Sequence, residues 1–600
     1  MNRETQEKIN SIVCSLLVVI GVYAIGAYFF DFYYDLNDDM VIKDILSGAY
    51  SGTPEGHTNQ ILYPLGVILA CTYRLLPQAP VFGFFLCACF CLCFGLIVYR
   101  MESFFQNKIV KITTVIIMIL VFLSLLLWEI IYVQYSVVCG ILIGTACFWF
   151  CSFSTKSTVG DFWKQNIPTL LLVWLAFLIR SEMMLLTTPF LAAVGMLHWL
   201  EAAKIVKENY NGIERKKNWQ HFFSKVNLWK YPAFLLVLVL GMGMALGTDI
   251  LAHGGQEWKE YRSFFDARTK LYDYTWYPNY EEQQAFYEEK EISEIQYRLI
   301  DNYNFGLDES ITDHTLETIA SYGEKPRMLG NPVSRMKNSF VELLHRNFLP
   351  SDAPYNYFVM AGYVLVIGLA VIQRKKEYIG KLMLVFLAKC VPWMYLLYVQ
   401  RAVNRITHPL YIIEFMILLA MLAKELYDRP LWNVEKYYRM VAAGVLALIA
   451  ALYLPFGISH VKTEQNRREE VSKNQILFDN YAKAHPENYY YLDVYSTVSF
   501  VEKMFENVDN SRKNYDLMGG WYHKSPVQKE TMERYTGTTN MEEALLTDQV
   551  CFVMEQQGDA TFIEDYYKTK NKKVVLELQD TVGEGENPFL VYKIVEKSKK

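Results

Sequence analysis

Long apolar blocks alternate with charged segments along most of the first 460 residues of the chain. A helix needs about 20 mainly apolar residues to cross the roughly 30 Å hydrocarbon core of a bilayer. By that criterion the pattern predicts eleven membrane spans, at residues 9–30, 80–99, 109–127, 133–153, 167–179, 183–200, 231–251, 357–372, 379–399, 406–423 and 440–458. The predicted fold class is therefore an α-helical polytopic membrane protein.

Lysine and arginine placement predicts the orientation, because these residues collect in short cytoplasmic loops. A twelfth apolar block, residues 61–76, is short, begins with Tyr63-Pro64 and carries Arg74. If this block were a span, the basic cluster between residues 204 and 230 would lie outside the cytoplasm, against the preference of lysine and arginine for cytoplasmic loops. We therefore predict a surface helix there, a cytoplasmic N-terminus and an extracytoplasmic C-terminus in the cytoplasmic (plasma) membrane. The first block is longer than the roughly 7–15 apolar residues of a signal peptide, which favours an uncleaved anchor.

This orientation divides the chain into a transmembrane bundle, residues 1–459, and an extracytoplasmic α/β domain, residues 460–600. Within the bundle, residues 31–79 form an acidic extracytoplasmic loop with surface helices, and residues 252–356 form a large extracytoplasmic loop. Short strands are predicted at residues 489–494 and 550–554, and a hairpin at 574–578 and 589–594. In the large loop, residues 265–268 and 272–274 lie close to the end of a predicted span. They are predicted to belong either to a cap packed on the spans or to a site roof, a segment that covers a functional site.

Composition narrows the function classes. The chain is 52% hydrophobic and 20% charged, and its net charge of −5 gives no electrostatic reason to expect nucleic-acid binding. Ten of the eleven cysteines lie in apolar stretches, so no disulfide framework is predicted. The four alternating cysteines from Cys87 to Cys93 diverge on a helix and are interpreted as apolar filler.

The segment after the first span is the most informative for chemistry. Five aspartates occur within fourteen residues, followed by Glu55 and His57. They are Asp31, Asp35, Asp38, Asp39 and Asp44. Mutual repulsion and partial desolvation raise carboxylate pKa values toward the range of a base, and carboxylates also bind divalent cations. The alternative interpretation is a solvated acidic loop.

Two further polar clusters occur at the predicted extracytoplasmic ends of spans. Arg180 and Glu182 lie between two spans, where ionisable groups are costly and usually functional. Arg401, Arg405 and His408 lie between two others and would share one face of a helical turn, a geometry suited to a phosphate or diphosphate. The alternative for each cluster is an ion pair that joins neighbouring loops.

The layout resembles the GT-C superfamily of integral-membrane glycosyltransferases, which includes protein O-mannosyltransferases and lipid A aminoarabinose transferases. The resemblance rests on the acidic pair Asp38-Asp39 soon after the first span, on surface helices such as residues 61–76, and on about eleven spans with an outer C-terminal domain. Many members have Asp-Glu where this chain has Asp-Asp, and the C-terminal domain carries no further signature of the superfamily.

The resemblance implies a polyprenyl-phosphate or polyprenyl-diphosphate sugar donor in the membrane lipid and a glycan, lipid or protein acceptor. It implies that Asp38, or else Asp39, is the base. Substrate-binding roles would fall to Asp35, His57, Arg180, Glu182, Arg401, Arg405 and His408. Members differ in metal use, so Asp35 and Asp39 leave Mg²⁺ or Mn²⁺ open as a cofactor.

Three other functions fit parts of the pattern. A polysaccharide polymerase or ligase also uses lipid-linked substrates and outer arginines, but generally lacks an acidic pair directly after the first span. A lipid or polysaccharide transporter predicts inverted repeats and broken midplane helices, which the sequence does not show. A non-catalytic assembly protein would tolerate loss of the acidic pair.

Overall fold

The computed structural model describes residues 3–105, 107–209, 221–327, 331–427 and 433–597. Its first ten helices form the larger part of the bundle. They are α1 (Arg3–Phe29), α2 (Asn37–Ser47), α3 (Tyr63–Leu75), α4 (Val81–Glu102), α5 (Lys108–Ile131), α6 (Tyr135–Ser152), α7 (Val159–Ile179), α8 (Ser181–Leu186), α9 (Thr188–Asn209) and α10 (Lys225–Ala252).

A cap of short helices follows, and then the last crossings. The cap contains α11 (Gln256–Thr269), a π-helical turn (Lys270–Tyr274), α12 (Gln284–Glu289), α13 (Glu294–Asp301), a 3₁₀ turn (Phe305–Leu307) and α14 (Asp313–Arg327). The remaining helices of the bundle are α15 (Pro332–Arg346), α16 (Tyr355–Gln373), α17 (Glu377–Tyr398), α18 (Asn404–Tyr427) and the 52-residue α19 (Asn433–Ala484).

Ten helices in the described ranges are long and apolar enough to cross a membrane, namely α1, α4, α5, α6, α7, α10, α16, α17, α18 and α19. The predicted polytopic helical class is confirmed. The predicted span at 183–200 is wrong in detail, since the structure divides it into α8 and α9 at Thr187. The span predicted at 167–179 begins earlier, at Val159, because Thr158 caps the helix by accepting a hydrogen bond from the Asp161 amide (3.1 Å).

The connections between helices fall at two ends of the bundle. At one end Arg100 donates a hydrogen bond to Ser152 (2.8 Å), and Lys204, near the end of α9, pairs with Glu377 at the start of α17 (2.7 Å). At the other end the Leu62 amide bonds Leu178 O (2.9 Å). We call these the basic end and the site end. Helix α9 leads from α8 at the site end to Lys204 at the basic end, although it is not among the ten helices that are long and apolar enough to cross a membrane.

The C-terminal region is an α/β domain. Its helices are α20 (Val494–Thr497), α21 (Pro526–Thr536), α22 (Met541–Ala544) and α23 (Thr561–Thr569). Two short strands in the bundle are β1 (Tyr33–Tyr34) and β2 (Tyr132–Val133), and the domain's strands are β3 (Tyr489–Leu492), β4 (Tyr515–Leu517), β5 (Val550–Glu555), β6 (Val574–Val582) and β7 (Phe589–Glu596). The sheet order is β4-β3-β5-β7-β6, with β6 and β7 forming the predicted hairpin. Strand β4 was not predicted from the sequence.

One core joins the cap to the sheet. Apolar side chains of the cap, such as Phe264 and Leu299, pack with Tyr491 and Phe552 on one face of the sheet. The end of α19, through Phe478, covers the other face. Because α19 continues without a break from the membrane to Ala484, it fixes the sheet relative to the bundle.

Strand β1 anchors the C-terminal domain to the acidic loop. Strand β1 pairs in parallel with β2, and the Tyr34 amide donates to Glu502 O (3.1 Å). Beside it, two lysines and two acids form a cluster of ion pairs 2.5–3.1 Å long, made by Lys43, Asp44, Glu502 and Lys513. Helix α2, which directly follows β1, is therefore held between the bundle and the C-terminal domain.

Candidate functional site

Helix α2 begins at the site end and carries the acidic pair in its first turn. Acidic residues are favourable there because the unsatisfied amides of a helix N-terminus carry partial positive charge. Gly48, in the left-handed conformation (φ 86°), ends the helix, as glycine does without strain. The short helix thus holds Asp38 and Asp39 at the site end, where Asp39 contacts the first residue of α6.

Asp39 is fully buried and bonded to the bundle. Its Oδ1 accepts a hydrogen bond from the amide of Tyr135, the first residue of α6 (3.0 Å). Burial raises the pKa of Asp39 well above its ordinary value. Backbone hydrogen bonds with Tyr135 and Leu36 lower this pKa, but only in part. Asp39 therefore joins α2 to the start of α6.

Asp38 has a different environment. It is 8% exposed, and within the described residues no group hydrogen-bonds or ion-pairs with its carboxylate. Burial raises its pKa, while the positive charges of Arg405, Arg180 and Arg268 lower it in part. The Asp38 carboxylate, which has no hydrogen bond in the described residues, is thus subject to the positive charges of three guanidinium groups.

Two of these arginines come from the bundle. Arg180 is the extended residue between α7 and α8, and its Nη1 donates to Ser136 Oγ (2.7 Å) and to the Tyr135 hydroxyl. Arg405 lies in the first turn of α18, and its Nε is buried without a hydrogen-bond partner in the described residues. Arg180 is consequently fixed in position, whereas Arg405 retains an unused donor.

Arg401 does not share a helical face with Arg405, contrary to the sequence prediction. Helix α17 ends at Tyr398, Gln400 adopts a left-handed conformation (φ 56°), and α18 begins only at Asn404. Arg401 instead pairs with Asp273 of the cap (2.8 Å) and lies over the Tyr274 ring (4.2 Å). Its charge is therefore already compensated.

His408, one turn after Arg405, belongs to a buried polar triad. Its Nδ1 lies 3.2 Å from Glu129 Oε1, which also accepts from the Tyr355 hydroxyl (3.0 Å). The imidazole stacks on Tyr355, with 4.2 Å between ring centroids. Its Nε2 has no partner among the described residues, so Glu129 orients a histidine with one unused ring nitrogen.

His57 and Glu182 occupy other surroundings. His57 contacts Glu55 (2.6 Å) and stacks on Trp258 (4.8 Å), next to the ion pair of Asp249 and Arg262. Glu182 is an exposed residue of α8, and its negative charge helps to raise the pKa of Asp266 in the cap, behind the larger effect of burial. None of the described contacts joins either of them to Asp38.

Asp35 and Asp39 do not assemble a metal site. Asp35 Oδ1 pairs with Arg468 of α19 (2.7 Å), which also donates to the backbone oxygens of Tyr34 and Asp35. Asp39 is bonded to the Tyr135 amide, and no group of three or more metal-binding side chains occurs in the described ranges. These residues do not fit a bound Mg²⁺ or Mn²⁺.

Arg268 of the cap is the third guanidinium near Asp38. It lies over the ring of Trp521 (3.9 Å). Trp521 belongs to a loop of the C-terminal domain in which no functional residue was predicted. Gly519 lets that loop approach the cap, because a side chain there would collide with the Tyr303 carbonyl. Residues 265–268 and 272–274 were predicted to be part of a packed cap or of a site roof, and Arg268 and Asp273 act electrostatically on Asp38.

Comparisons with known proteins give one structural likeness. No protein-family model and no curated protein matches the chain. The crystal structure of ArnT from Cupriavidus metallidurans bound to undecaprenyl phosphate is similar over 97% of both chains, with a TM-score of 0.41 and 9% sequence identity. At this identity and TM-score the likeness assigns no role to the site residues.

Proposed function

We propose that this protein is a membrane glycosyltransferase that moves a sugar from a polyprenyl-phosphate carrier to a cell-envelope acceptor, with Asp38 as the base. The observation that carries the proposal is the buried Asp38 carboxylate, which has no hydrogen bond in the described residues and lies near the guanidinium groups of Arg180 and Arg405. A carboxyl group with a raised pKa suits a base, and guanidinium groups suit a phosphate.

The reaction requires one proton transfer and one substitution. Asp38 takes the proton of the acceptor hydroxyl as that oxygen bonds to the anomeric carbon. The bond between the anomeric carbon and the phosphate oxygen breaks, its electron pair stays on the phosphate, and the anomeric centre inverts. Positive charge that develops on the sugar ring is stabilised by the nearby carboxylate.

The leaving phosphate is a weak base, so it needs charge stabilisation more than a proton. Arg405 has an unused Nε, and His408 has an unused Nε2 one turn further along α18. Arg180 is fixed by its hydrogen bond to Ser136 in the first turn of α6. Donors fixed before the reaction stabilise developing charge at little cost in reorganisation.

The orientation of the bundle favours chemistry outside the cytoplasm. Lys204, Lys230 and Lys375 form contacts at the basic end, while Asp38 and the C-terminal domain lie at the site end. Basic residues collect in cytoplasmic loops. We therefore place the basic end in the cytoplasm and the site at the outer membrane surface, where the phosphate of a lipid carrier resides.

The test is sugar transfer by Asp38→Asn in lipid nanodiscs. A panel of synthetic polyprenyl-phosphate sugars serves as donors, and release of polyprenyl phosphate is followed by mass spectrometry. The variant should lose at least about 100-fold in rate, the usual contribution of a positioned base. Asp31→Asn is the matched control, because Asp31 lies in the same loop but pairs with Lys503 (2.8 Å). Transfer by Asp38→Asn at the wild-type rate would overturn the mechanism.

A further inference from the structure

Arg268 is a buried cation without an anionic partner. The residue is 5% exposed, and neither its Nε nor its Nη1 has a hydrogen-bond partner in the described residues. Burial lowers its pKa, which expresses the cost of removing this charge from water. A buried guanidinium normally has a carboxylate or phosphate beside it.

Aromatic rings hold Arg268 without neutralising it. The guanidinium lies 3.9 Å from the Trp521 centroid, and three further ring centroids lie 5.7–6.0 Å away, those of Tyr272, Tyr303 and Phe305. Attraction between a cation and a ring face stabilises the charge and fixes its position, but leaves the N–H donors unused. The four rings therefore hold the guanidinium in a fixed position, and its N–H donors are still able to bind an anion.

The nearby acids do not supply that anion. Asp273 is bonded to Arg401 (2.8 Å), and Asp38 forms no ion pair with any described residue. Three guanidinium groups, Arg180, Arg268 and Arg405, thus act on the single carboxylate of Asp38. Glu182 also acts on Arg180, so three guanidinium groups stand against two carboxylates, and the centre carries positive charge that an anionic substrate would neutralise.

The two sets of arginines approach from different parts of the fold. Arg180 and Arg405 belong to the bundle, whereas Arg268 belongs to the cap and is held by the C-terminal domain. We propose that Arg268 binds a second anionic group of the lipid-linked substrate, a phosphate or a carboxylate, while the bundle arginines bind the phosphate next to the lipid. This inference rests on the proposed function and specifies its substrate class.

The shared chemistry has two sources, a polyprenyl diphosphate or a monophosphate that carries an acidic sugar. Affinities are measured for the protein in nanodiscs with four probes: polyprenyl monophosphate, polyprenyl diphosphate, and polyprenyl-phosphate hexose and hexuronate. One charge-assisted hydrogen-bond pair corresponds to a change of about 10-fold to 100-fold. We expect the wild type to prefer either the diphosphate or the hexuronate by that factor, and the preferred probe identifies the source.

The variants assign the preference to Arg268. Arg268→Met, which keeps the aliphatic stem, should remove the preference and leave monophosphate affinity unchanged. Arg268→Lys, which keeps the charge and spares the fold, should retain part of it. Arg298→Met is the control, since Arg298 is a cap residue paired with Asp559 and Asp565 on the surface.

The outcomes separate this inference from the proposed function. A wild type without either preference, or a preference that survives Arg268→Met, overturns the inference even if sugar transfer proceeds. A preference that depends on Arg268 supports anion recognition even if no sugar is transferred. If Arg268→Met does not fold, Arg268→Lys decides the question. An ammonium lacks the paired N–H donors of a guanidinium, so the preference should be weaker in Arg268→Lys than in the wild type. Equal preferences in the two proteins would contradict the proposed contact.

Discussion

The Asp39 carboxylate accepts a hydrogen bond from the Tyr135 amide at 3.0 Å, and so gives the two adjacent aspartates different environments. Asp39 is committed to the start of α6, while Asp38, one residue earlier, remains without a hydrogen bond in the described part of the chain. A single backbone contact thus favours Asp38 as the residue available for proton transfer.

This contact predicts unequal effects of substitution at residue 39. Asp39→Ala leaves the buried Tyr135 amide without its acceptor and should lower stability by about 1–3 kcal/mol. Asp39→Asn keeps an oxygen at that position and should cost less. Apparent unfolding temperatures in nanodiscs measure the difference. Equal temperatures for Asp39→Ala and the wild type would contradict an anchoring role.

Charge near Asp38 predicts the pH dependence of activity. The base must be deprotonated, and burial raises the pKa of Asp38, so the acidic limb of kcat/KM should lie above the ordinary aspartate range. Arg405 lowers that pKa, and Arg405→Gln should therefore move the limb to higher pH by about one unit. Rate profiles of the two proteins measure the shift. A limb that moves to lower pH would exclude Asp38 as the titrating group.

A buried ion pair between α17 and α18 predicts non-additive stability. Lys389 and Glu414 lie 2.9 Å apart, at most 2% exposed, in the middle of two spans. Glu414→Gln alone leaves an uncompensated cation and should cost about 3–5 kcal/mol, whereas adding Lys389→Met should recover much of the loss. Unfolding temperatures of the single and double variants test this. A double variant less stable than both single variants would contradict the prediction.

Asp516 predicts a pH-dependent stability of the C-terminal domain. Burial raises its pKa to about 6, although Tyr50 and Gln528 donate hydrogen bonds to it. In the unfolded chain this carboxyl group loses its proton near its ordinary pKa of 3.8. The free energy of unfolding should therefore fall by up to about 3 kcal/mol as the pH rises from about 4 to 6, and should not fall further above pH 6.

Asp516→Asn should remove that loss. Relative to the wild type, the variant should therefore gain stability between pH 4 and 6 and keep a constant difference at higher pH. Unfolding temperatures of both proteins from pH 4 to 8 measure the effect. A difference that does not change between pH 4 and 6 would show that the Asp516 proton is not linked to folding.

Local patterns were sufficient for much of the architecture. Apolar blocks long enough to cross a bilayer predicted the ten described helices that can span a membrane. Short apolar runs predicted β3 and β5, and a glycine-containing turn between two such runs predicted the β6–β7 hairpin. The break at Thr187 was missed because apolar residues continue across it. Strand β4 was missed because three residues, Tyr515–Leu517, give too short a pattern.

The sequence by itself determined that this is a polytopic helical protein and that acidic and basic residues gather at the ends of its apolar blocks. Those properties depend on neighbours along the chain. Only the tertiary structure decided which charges are free, since Asp35 meets Arg468, Arg401 meets Asp273, and Arg268 meets Trp521. Each of these contacts joins segments more than one hundred residues apart, and the packing of helices, cap and sheet sets such distances.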